Sequence, residues 1–400
     1  MNMIKAIEAL QAALPTAQFA LRGTTEFEAL NSKTYQSGLN GDITPACIIQ
    51  TPSKEDFSVL LITIAPYIKA GEAAFTIVGA GRQPAPGCSN IENGITLNLA
   101  LIKGIDIKEN CVFVGSDENC GSVFQKLEEQ GLACAGARST KGGFAGLALS
   151  GRAILDVVNY EVVLASGAIV DANINENTDL WRALRGGVNY FGVITRFDMR
   201  TFKQGPLWGG SICCARSGFL NQVKALVHKL QNPEASPHTH LMVSLGFAAA
   251  FGLDPVILNQ LYCTNGIERP HILEPFSKIG AASYPRSLLE ASAKKGGNSL
   301  WLTPDDGAII SIALLAYWVN PSDDEKILST FKTVLEKLDE NATAHKTAVK
   351  FKFLNYSFNF QDPIGSYGAE NKARLQEASK KYDPEGIFRK GVPEGWKLFS

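Results

Sequence analysis

The chain has 400 residues, of which 45% are hydrophobic and 19% charged, and its formal net charge is −1. A chain of this length rarely folds around one hydrophobic core, so we expect two or three lobes. The near-neutral charge argues against partners such as nucleic acid or an anionic membrane surface, and no apolar run reaches the ~18 residues of a membrane span.

The N-terminal residues predict an amphipathic helix from Ile4 to Leu14, interrupted by Lys5 and Glu8. A secretory signal peptide has a basic start and an unbroken apolar run, and this pattern has neither. The sequence as it stands therefore predicts a cytoplasmic protein.

The eight cysteines are scattered and form no C-x-x-C pair, and the five histidines begin only at His228. Zinc sites need clustered ligands, so we expect no metal. Buried free thiols are the expected state of the cysteines, although their even number leaves disulfides open if the protein is secreted.

The first part of the chain predicts a β-α-β unit. A strand ends at Gln50, Ser53 caps a helix, and a short apolar run opens a second strand at Phe75. The loop Gly79-Ala80-Gly81 follows, and residues 95–99 alternate as a half-buried strand does. Glycines between two strands let backbone N–H groups approach an anion closely.

A second succession begins at Ile105, with a strand at 111–115, a helix at 123–130 and a glycine-rich loop at 136–146. Strands at 157–164 and 168–172, a helix at 179–185 and a strand at 191–201 complete it. After Pro206 longer helical patterns appear at 219–230 and 322–338, with strands at 241–247 and 309–319. We place a domain boundary near Pro206.

The combination of these stretches resembles the flavin-dependent oxidoreductases of the vanillyl-alcohol-oxidase/p-cresol-methylhydroxylase (PCMH) type, in particular their berberine-bridge-like fungal branch. The resembling stretches are residues 44–48, 78–90, 94–96, 136–146, 158–167, 177–202, 355–356 and 382–384. They cover nearly all of residues 40–205 and 350–400, and their order and spacing are more specific than any one of them.

The resemblance implies an α+β fold. Residues 1–205 would form a PCMH-type FAD-binding domain of two α+β subdomains, split near residue 105. Residues 206–345 would form an inserted substrate domain, an antiparallel sheet backed by helices. Residues 346–400 would form a berberine-bridge-like segment that returns to the FAD domain.

The resemblance also implies the cofactor site. The first glycine loop would wrap the FAD pyrophosphate, and the second would pass the ribityl chain and the ring, with Ile169 or Val170 against the ring. The implied cofactor-binding residues are Gly79, Ala80, Gly81, Arg82, Gln83, Gly87, Asn90, Gly136, Arg138, Ser139, Thr140, Gly142, Gly143, Gly146, Ile169, Val170 and Asn355.

Three features depart from the family pattern. Many relatives attach the flavin through a histidine at the position of Arg82, and the first 227 residues here contain no histidine. A second attachment uses a cysteine at the position of Arg138, from which Cys134 is four residues away. Relatives also have a longer stretch after Gly151. We expect noncovalent FAD, at a site that this gap could open or empty.

The resemblance favours an FAD-dependent oxidase that removes a hydride from a small organic molecule and passes electrons to O2, with a role in fungal secondary metabolism. Tyr356 is the candidate base, since the Asn-Tyr pair reaches the flavin in relatives. The alternatives are a non-redox cyclase or isomerase with structural FAD and a degenerate non-catalytic paralogue. A nicotinamide dehydrogenase built on Gly79-Ala80-Gly81 is disfavoured, because the third glycine and the helix are missing. Relatives are often secreted, and nothing in the sequence indicates the oligomeric state.

Overall fold

The computed structural model of the protein describes residues 2–137, 139–150, 156–215, 218–231, 239–246, 256–264, 273, 276, 302, 312–316, 318 and 320–399. These residues form two compact units. One contains the described residues of 1–202 and 320–400, and the other those of 203–295 and 302–319. The roles of the units in binding cofactor and substrate stay predictions.

The strands of the described part are β1 (Gln18–Leu21), β2 (Cys47–Gln50), β3 (Phe75–Val78), β4 (Ile95–Asn98), β5 (Ile105–Ile107), β6 (Cys111–Gly115), β7 (Leu132–Cys134), β8 (Val157–Val163), β9 (Ile169–Asn173), β10 (Val193–Lys203), β11 (Trp208–Ala215), β12 (Thr239–Gly246) and β13 (Val256–Cys263). The helices are α1 (Asn2–Ala13), α2 (Thr25–Thr34), α3 (Gly38–Gly41), α4 (Lys54–Lys69), α5 (Cys120–Glu128), α6 (Phe144–Ser150), α7 (Thr178–Leu184), α8 (Phe219–Gln231), α9 (Asp324–Ala344), α10 (Ala369–Tyr382) and α11 (Ile387–Gly391). Short 3₁₀ helices lie at Pro321–Asp323, Leu354–Tyr356 and Gly365–Tyr367.

The first sheet has the strand order β1-β2-β4-β3, with β2, β4 and β3 parallel and β1 antiparallel at one edge. The Ser53 hydroxyl caps α4 by accepting a hydrogen bond from Asp56 N at 3.1 Å, as the sequence predicts. The predicted half-buried character of β4 is wrong, because all four of its residues are buried. Leu97 faces the core formed with α1 and α4, whereas Thr96 points to the opposite face and meets the buried Asn90.

The second sheet has the order β5-β6-β10-β8-β9, and all of these pairings are antiparallel. One face packs against α5, α6, α7 and α10 in a core that contains Tyr160 and Phe197, whose rings meet edge to face at 5.6 Å. Polar side chains alternate with these residues along the strands and form a charged cluster on the other face of the sheet. The two sheets and their helices confirm the predicted α+β class.

The second unit contains a three-stranded antiparallel sheet of order β11-β13-β12, with α8 and a small core that includes Leu226, Leu241 and Leu261. The predicted strand at 309–319 is wrong for residues 312–316, which have no regular secondary structure. An apolar run needs a neighbouring strand for its hydrogen bonds, and no described strand pairs with this one. The other residues of that range lie outside the described part, except 318.

The C-terminal segment packs on the first sheet. The Asp383 carboxylate accepts hydrogen bonds from Ile387 N at 2.7 Å and Phe388 N at 2.9 Å, and so caps α11. Phe388 then meets Phe75 of β3 edge to face, with ring centroids 5.7 Å apart. Among the described residues, no helix combines the length and the apolar character needed to cross a membrane.

Glu161 holds the charged cluster on the second sheet. Its carboxylate accepts from Lys54 Nζ at 2.7 Å, from Arg196 Nη1 at 3.0 Å and from Thr195 Oγ1 at 2.8 Å. Burial alone would raise the pKa of Glu161, but the bonds from Lys54 and Thr195 and the charge of Arg196 outweigh it and lower the pKa below 4.5. The ionised carboxylate therefore stabilises the fold above the unfolded pKa, and this contribution is lost as the pH falls through the lower, folded pKa.

We expect Glu161→Gln to lower the free energy of unfolding at pH 7 by about 1–3 kcal/mol, because buried donors lose a charged acceptor. The loss should shrink as the pH falls through the lowered, folded pKa of Glu161, where the wild-type carboxylate becomes protonated. Urea denaturation at pH 7 and at pH 3.5 measures both effects. Glu370→Gln, which breaks the exposed pair with Arg374, is the control and should cost less than about 0.5 kcal/mol. Equal losses for Glu161→Gln at the two pH values would contradict the assignment.

Candidate functional site

The first glycine loop follows β3 at the edge of the first sheet where the parallel strands β2, β3 and β4 all end. The backbone N–H groups of residues 79–83 donate no hydrogen bond to any other residue in the described part. Most backbone N–H groups in a folded protein have an acceptor. A run of them without one forms a concave site that suits an anion.

Gly81 is required by the geometry of this loop. Its φ of +62° lies in the left-handed region, and a Cβ at this position would lie 2.1 Å from Thr34 O. The Gly81 carbonyl accepts a hydrogen bond from Gln36 N at 3.0 Å. Because a trans peptide places C=O and N–H on opposite sides, this bond directs Arg82 N–H away from the residues behind the loop.

The second glycine loop is shorter than predicted, because α6 begins at Phe144 and includes Gly146. The helix starts there since Phe144 and Ala148 reach the core. Ser139 and Thr140 are exposed at the tip, and Gly136, Gly142 and Gly143 are half-buried. Arg138 lies outside the described residues, as do residues 151–155 and thus the predicted gap after Gly151.

The structure brings the two loops together. Arg82 Nε donates to Lys141 O at 3.2 Å, and a Cβ on Gly143 would lie 2.5 Å from the Ala80 Cβ. Gly79 approaches the same region, where a Cβ would lie 3.8 Å from the Ala145 Cβ. The glycines that the sequence singles out in separate stretches therefore adjoin one another.

Two residues after the first loop support it from within the protein. Gly87 has a φ of +77° and lies against Glu394. The buried Asn90 amide nitrogen donates to Asn31 Oδ1, Asn40 O and Ile43 O at 2.9–3.1 Å. The Asn90 amide oxygen accepts from Ile91 N and Thr96 Oγ1, so the structure uses the whole amide inside the protein.

A cavity of about 410 Å³ adjoins the end of the first loop, at Gly87 and Cys88, and is bounded on the other side by Trp396. The carboxylates of Glu92 and Glu394 line it. They would repel an anion, so an anionic group belongs at residues 79–83 rather than in the cavity.

Ile169 and Val170 lie on β9, the edge strand of the second sheet, opposite Val163 and Val162. Val170 packs against the core, whereas Ile169 is exposed. The prediction that one of them contacts a flavin ring stays a prediction.

Asn355 and Tyr356 lie in a 3₁₀ helix of the C-terminal segment. Asn355 Oδ1 forms a hydrogen bond with Ser150 Oγ at the end of α6, so this segment reaches the helix that follows the second loop. Tyr356 is 40% exposed, with its ring edge-on to Phe353 at 5.0 Å. This exposure rules out a core tyrosine.

The sequence gives no signal for Asn40, which is 43 residues before Gln83 in the chain. Its amide nitrogen donates to Gln83 O at 3.0 Å and Ala85 O at 2.9 Å. Three buried side-chain oxygens near the loop, Asn40 Oδ1, Thr76 Oγ1 and Gln83 Oε1, have no hydrogen-bond partner in the described part of the chain. Acceptors left without a partner suit a ligand that carries hydroxyl or N–H donors.

These residues fit FAD. Its diphosphate would meet the N–H groups of residues 79–83, and one of its hydroxyl groups could satisfy Gln83 Oε1. The described residues include no cluster of three or more histidine, cysteine or acidic side chains suited to a metal ion.

The nearby thiols are held in the neutral form. Burial, with smaller contributions from Cys120 and Asp156, raises the pKa of Cys134 to about 12. Burial, together with the charge of Glu394, raises the pKa of Cys88 to about 12. Thiolates are the nucleophilic form of cysteine, so neither side chain is set up to attack a cofactor. All cysteines whose side chains the structure describes are free.

No protein-family model matches the chain. Curated proteins do: the FAD-dependent monooxygenase CTB5 of Cercospora nicotianae is 32% identical over 463 residues, which cover 91% of the chain and 99% of that protein. The chain belongs to this family of FAD-dependent oxidoreductases. The FAD-dependent monooxygenase tpcD of Cochliobolus heterostrophus is 29% identical over 445 residues, with 88% of the chain and 85% of that protein covered.

Solved structures show the fold of the family. The berberine-bridge-like protein 1 of Physcomitrella patens matches with a TM-score of 0.75 at 14% identity, over 99% of each chain. The glucooligosaccharide oxidase of Acremonium strictum, with a 6-S-cysteinyl, 8α-N1-histidyl FAD, matches at 0.64 and 16% identity over 96% and 97%. The predicted PCMH-type, berberine-bridge-like fold and the FAD cofactor are confirmed.

The alignments with the two curated relatives are longer than the 400 residues of this chain. These family members therefore have residues that this chain lacks. That the missing residues follow Gly151 stays a prediction.

We expect Gly81→Ala to weaken FAD binding by about ten-fold or more, because a left-handed alanine costs roughly 1–2 kcal/mol and its Cβ would displace Thr34 or the loop. Flavin fluorescence titration of the apoprotein measures the dissociation constant. Gly71→Ala is the matched control, since Gly71 has a φ of +71° and nothing within 4 Å of its Cβ position. Equal affinities in the two variants would show that the loop does not need Gly81.

Proposed function

We propose that this FAD-dependent oxidoreductase is an oxidase that holds FAD without a covalent bond. It removes a hydride from a small organic molecule, at a C–H bond next to oxygen or nitrogen, and O2 reoxidises the flavin. The observation that carries the proposal is the junction of the two glycine loops, where residues 79–83 present backbone N–H groups that have no acceptor among the described residues. The hydride-accepting chemistry belongs to FAD.

Noncovalent binding follows from the side chains available. Arg82 takes the place of a histidine link, and the nearest histidine in the sequence is His228. The thiols of Cys88 and Cys134 are neutral at physiological pH for the reasons given above. Arg82 and the loop amides would instead bind the diphosphate through charge-assisted hydrogen bonds.

Acid precipitation tests this mode of binding. We expect the purified protein to be yellow and its FAD to appear in the supernatant, because no covalent bond retains it. Flavin that stays with the pellet would contradict noncovalent binding. Colourless protein that takes up no added FAD would favour the degenerate alternative.

Tyr356 is the residue that we propose as base. Tyr356, deprotonated to the phenolate, would accept a proton from the substrate as the hydride leaves, and Asn355, held by Ser150, would fix the turn that carries it. The described part of the chain has two other Asn-Tyr pairs, Asn159-Tyr160 and Asn189-Tyr190, but both of those tyrosines are buried.

We expect Tyr356→Phe to lower kcat by about 10²-fold or more, the usual contribution of a positioned base, with FAD affinity unchanged. Stopped-flow reduction of the flavin under anaerobic conditions measures the chemical step on any substrate that a screen of alcohols and amines identifies. Tyr67→Phe, on α4, is the control. A Tyr356→Phe variant reduced at the wild-type rate would remove Tyr356 from the chemistry.

A monooxygenase is the second candidate, and the names of the curated relatives favour it. An oxidase removes two hydrogens from the substrate and reduces O2 to H2O2. A monooxygenase inserts one oxygen atom, forms water from the other, and needs two electrons from a reductant. One H2O2 formed per O2 consumed would support the oxidase, and ¹⁸O from ¹⁸O2 in the organic product would support the monooxygenase.

A further inference from the structure

Three buried asparagines, Asn31, Asn40 and Asn90, form one hydrogen-bonded network behind the first glycine loop. Asn31 Nδ2 donates to Gly41 O at 2.9 Å, and Asn31 Oδ1 accepts from Asn90 Nδ2 at 3.1 Å. Asn90 Nδ2 also donates to the backbone oxygen of Asn40 at 2.9 Å. The network therefore fixes the position of Asn40 from behind.

Asn40 holds the end of the loop directly. Its amide nitrogen lies between two carbonyl oxygens, Gln83 O at 3.0 Å and Ala85 O at 2.9 Å, and this settles which end of the amide faces them. Pro84 and Pro86 follow these carbonyls and have no N–H. With these two N–H groups absent, carbonyls carry more of the support of this part of the loop, and Asn40 holds two of them; Ala85 O also accepts from Cys88 N at 3.4 Å.

The contacts of Asn40 differ from those expected of a side chain that only stabilises the fold. Its side chain is fully buried, yet its Oδ1 has no hydrogen-bond partner in the described part of the chain. A buried acceptor without a partner costs stability. The benefit that offsets this cost is the pair of bonds to the loop.

We infer that Asn40 is a positioning residue for the diphosphate of FAD. It acts through the loop: its two hydrogen bonds fix residues 83–85, while Gln36 N fixes the Gly81 carbonyl and so turns the Arg82 N–H away from the residues behind the loop. The inference rests on the proposed binding of the diphosphate at this loop. It extends the site to a segment that the sequence pattern of the loop does not contain.

The test compares Asn40→Ala with Asn159→Ala. Asn159 is the matched control, because it is also a buried asparagine, donating to Asp171 and Asp198 at 2.7 and 3.0 Å on the second sheet. Dissociation constants for FAD and for ADP are measured for both variants and the wild type, and thermal unfolding of the apoproteins is recorded. Asn40→Ser is a milder second variant.

We expect Asn40→Ala to weaken FAD and ADP by the same factor, about ten-fold or more, because both ligands share the diphosphate. Asn159→Ala should bind both within about two-fold of the wild type. A loss confined to FAD would overturn the inference, since Asn40 would then act on the flavin half. Equal losses in both variants would also overturn it.

The failure of this inference differs from the failure of the proposed function. If the wild type binds ADP but not FAD, the proposed function is wrong. The affinity of Asn40→Ala for ADP can then still be compared with that of the wild type. Wild type that binds neither would overturn both. If both Asn40 variants fail to fold while Asn159→Ala folds, Asn40 belongs to the fold rather than to the loop, and the inference is wrong.

Discussion

A loop whose backbone N–H groups have no acceptor must be held by its other groups. In this protein residues 79–83 leave their N–H groups without a partner in the described chain, while the carbonyls of Gly81, Gln83 and Ala85 are bound by Gln36 N and the Asn40 amide. At Gly81 the peptide plane converts this support into orientation, because holding the carbonyl on one side turns the Arg82 N–H to the other. The Gln83 and Ala85 carbonyls precede prolines, so the bonds from Asn40 fix the end of the loop instead. An FAD diphosphate would be bound there by the main chain, with Arg82 as an added charge.

Binding by the main chain would allow FAD to bind although Arg82 occupies the position where the resemblance implies a histidine link. Backbone N–H groups require no particular side chain, so Arg82 at the position where the resemblance implies a histidine would remove a covalent bond without removing the anion site. The buried thiol of Cys134 is neutral and gives no substitute link. The second loop adds contact through Gly143 and Lys141. Under the proposed function, the cofactor would be held by shape and hydrogen bonds alone.

The sequence predicted the features that depend on residues close together in the chain. The strands on either side of the first loop, the Ser53 cap and the glycines of both loops are encoded within short segments, and their order also supported the family resemblance. It was less informative where position depends on distant residues. Asn40 lies 43 residues before Gln83, the start of α6 at Phe144 depends on core contacts, and the burial of Thr96 depends on Asn90. The strand predicted at 309–319 is wrong for 312–316 because an apolar run does not specify a partner strand.

The most direct measurement is a crystal structure of the protein with FAD, because it locates the diphosphate relative to the loop. We predict that the diphosphate oxygens lie within hydrogen-bond distance, ~2.7–3.2 Å, of backbone nitrogens in residues 79–83, with no bond between the flavin and a side chain. Asn40 should keep its contacts with the Gln83 and Ala85 carbonyls. A diphosphate bound elsewhere, or a flavin joined covalently to the protein, would contradict this account.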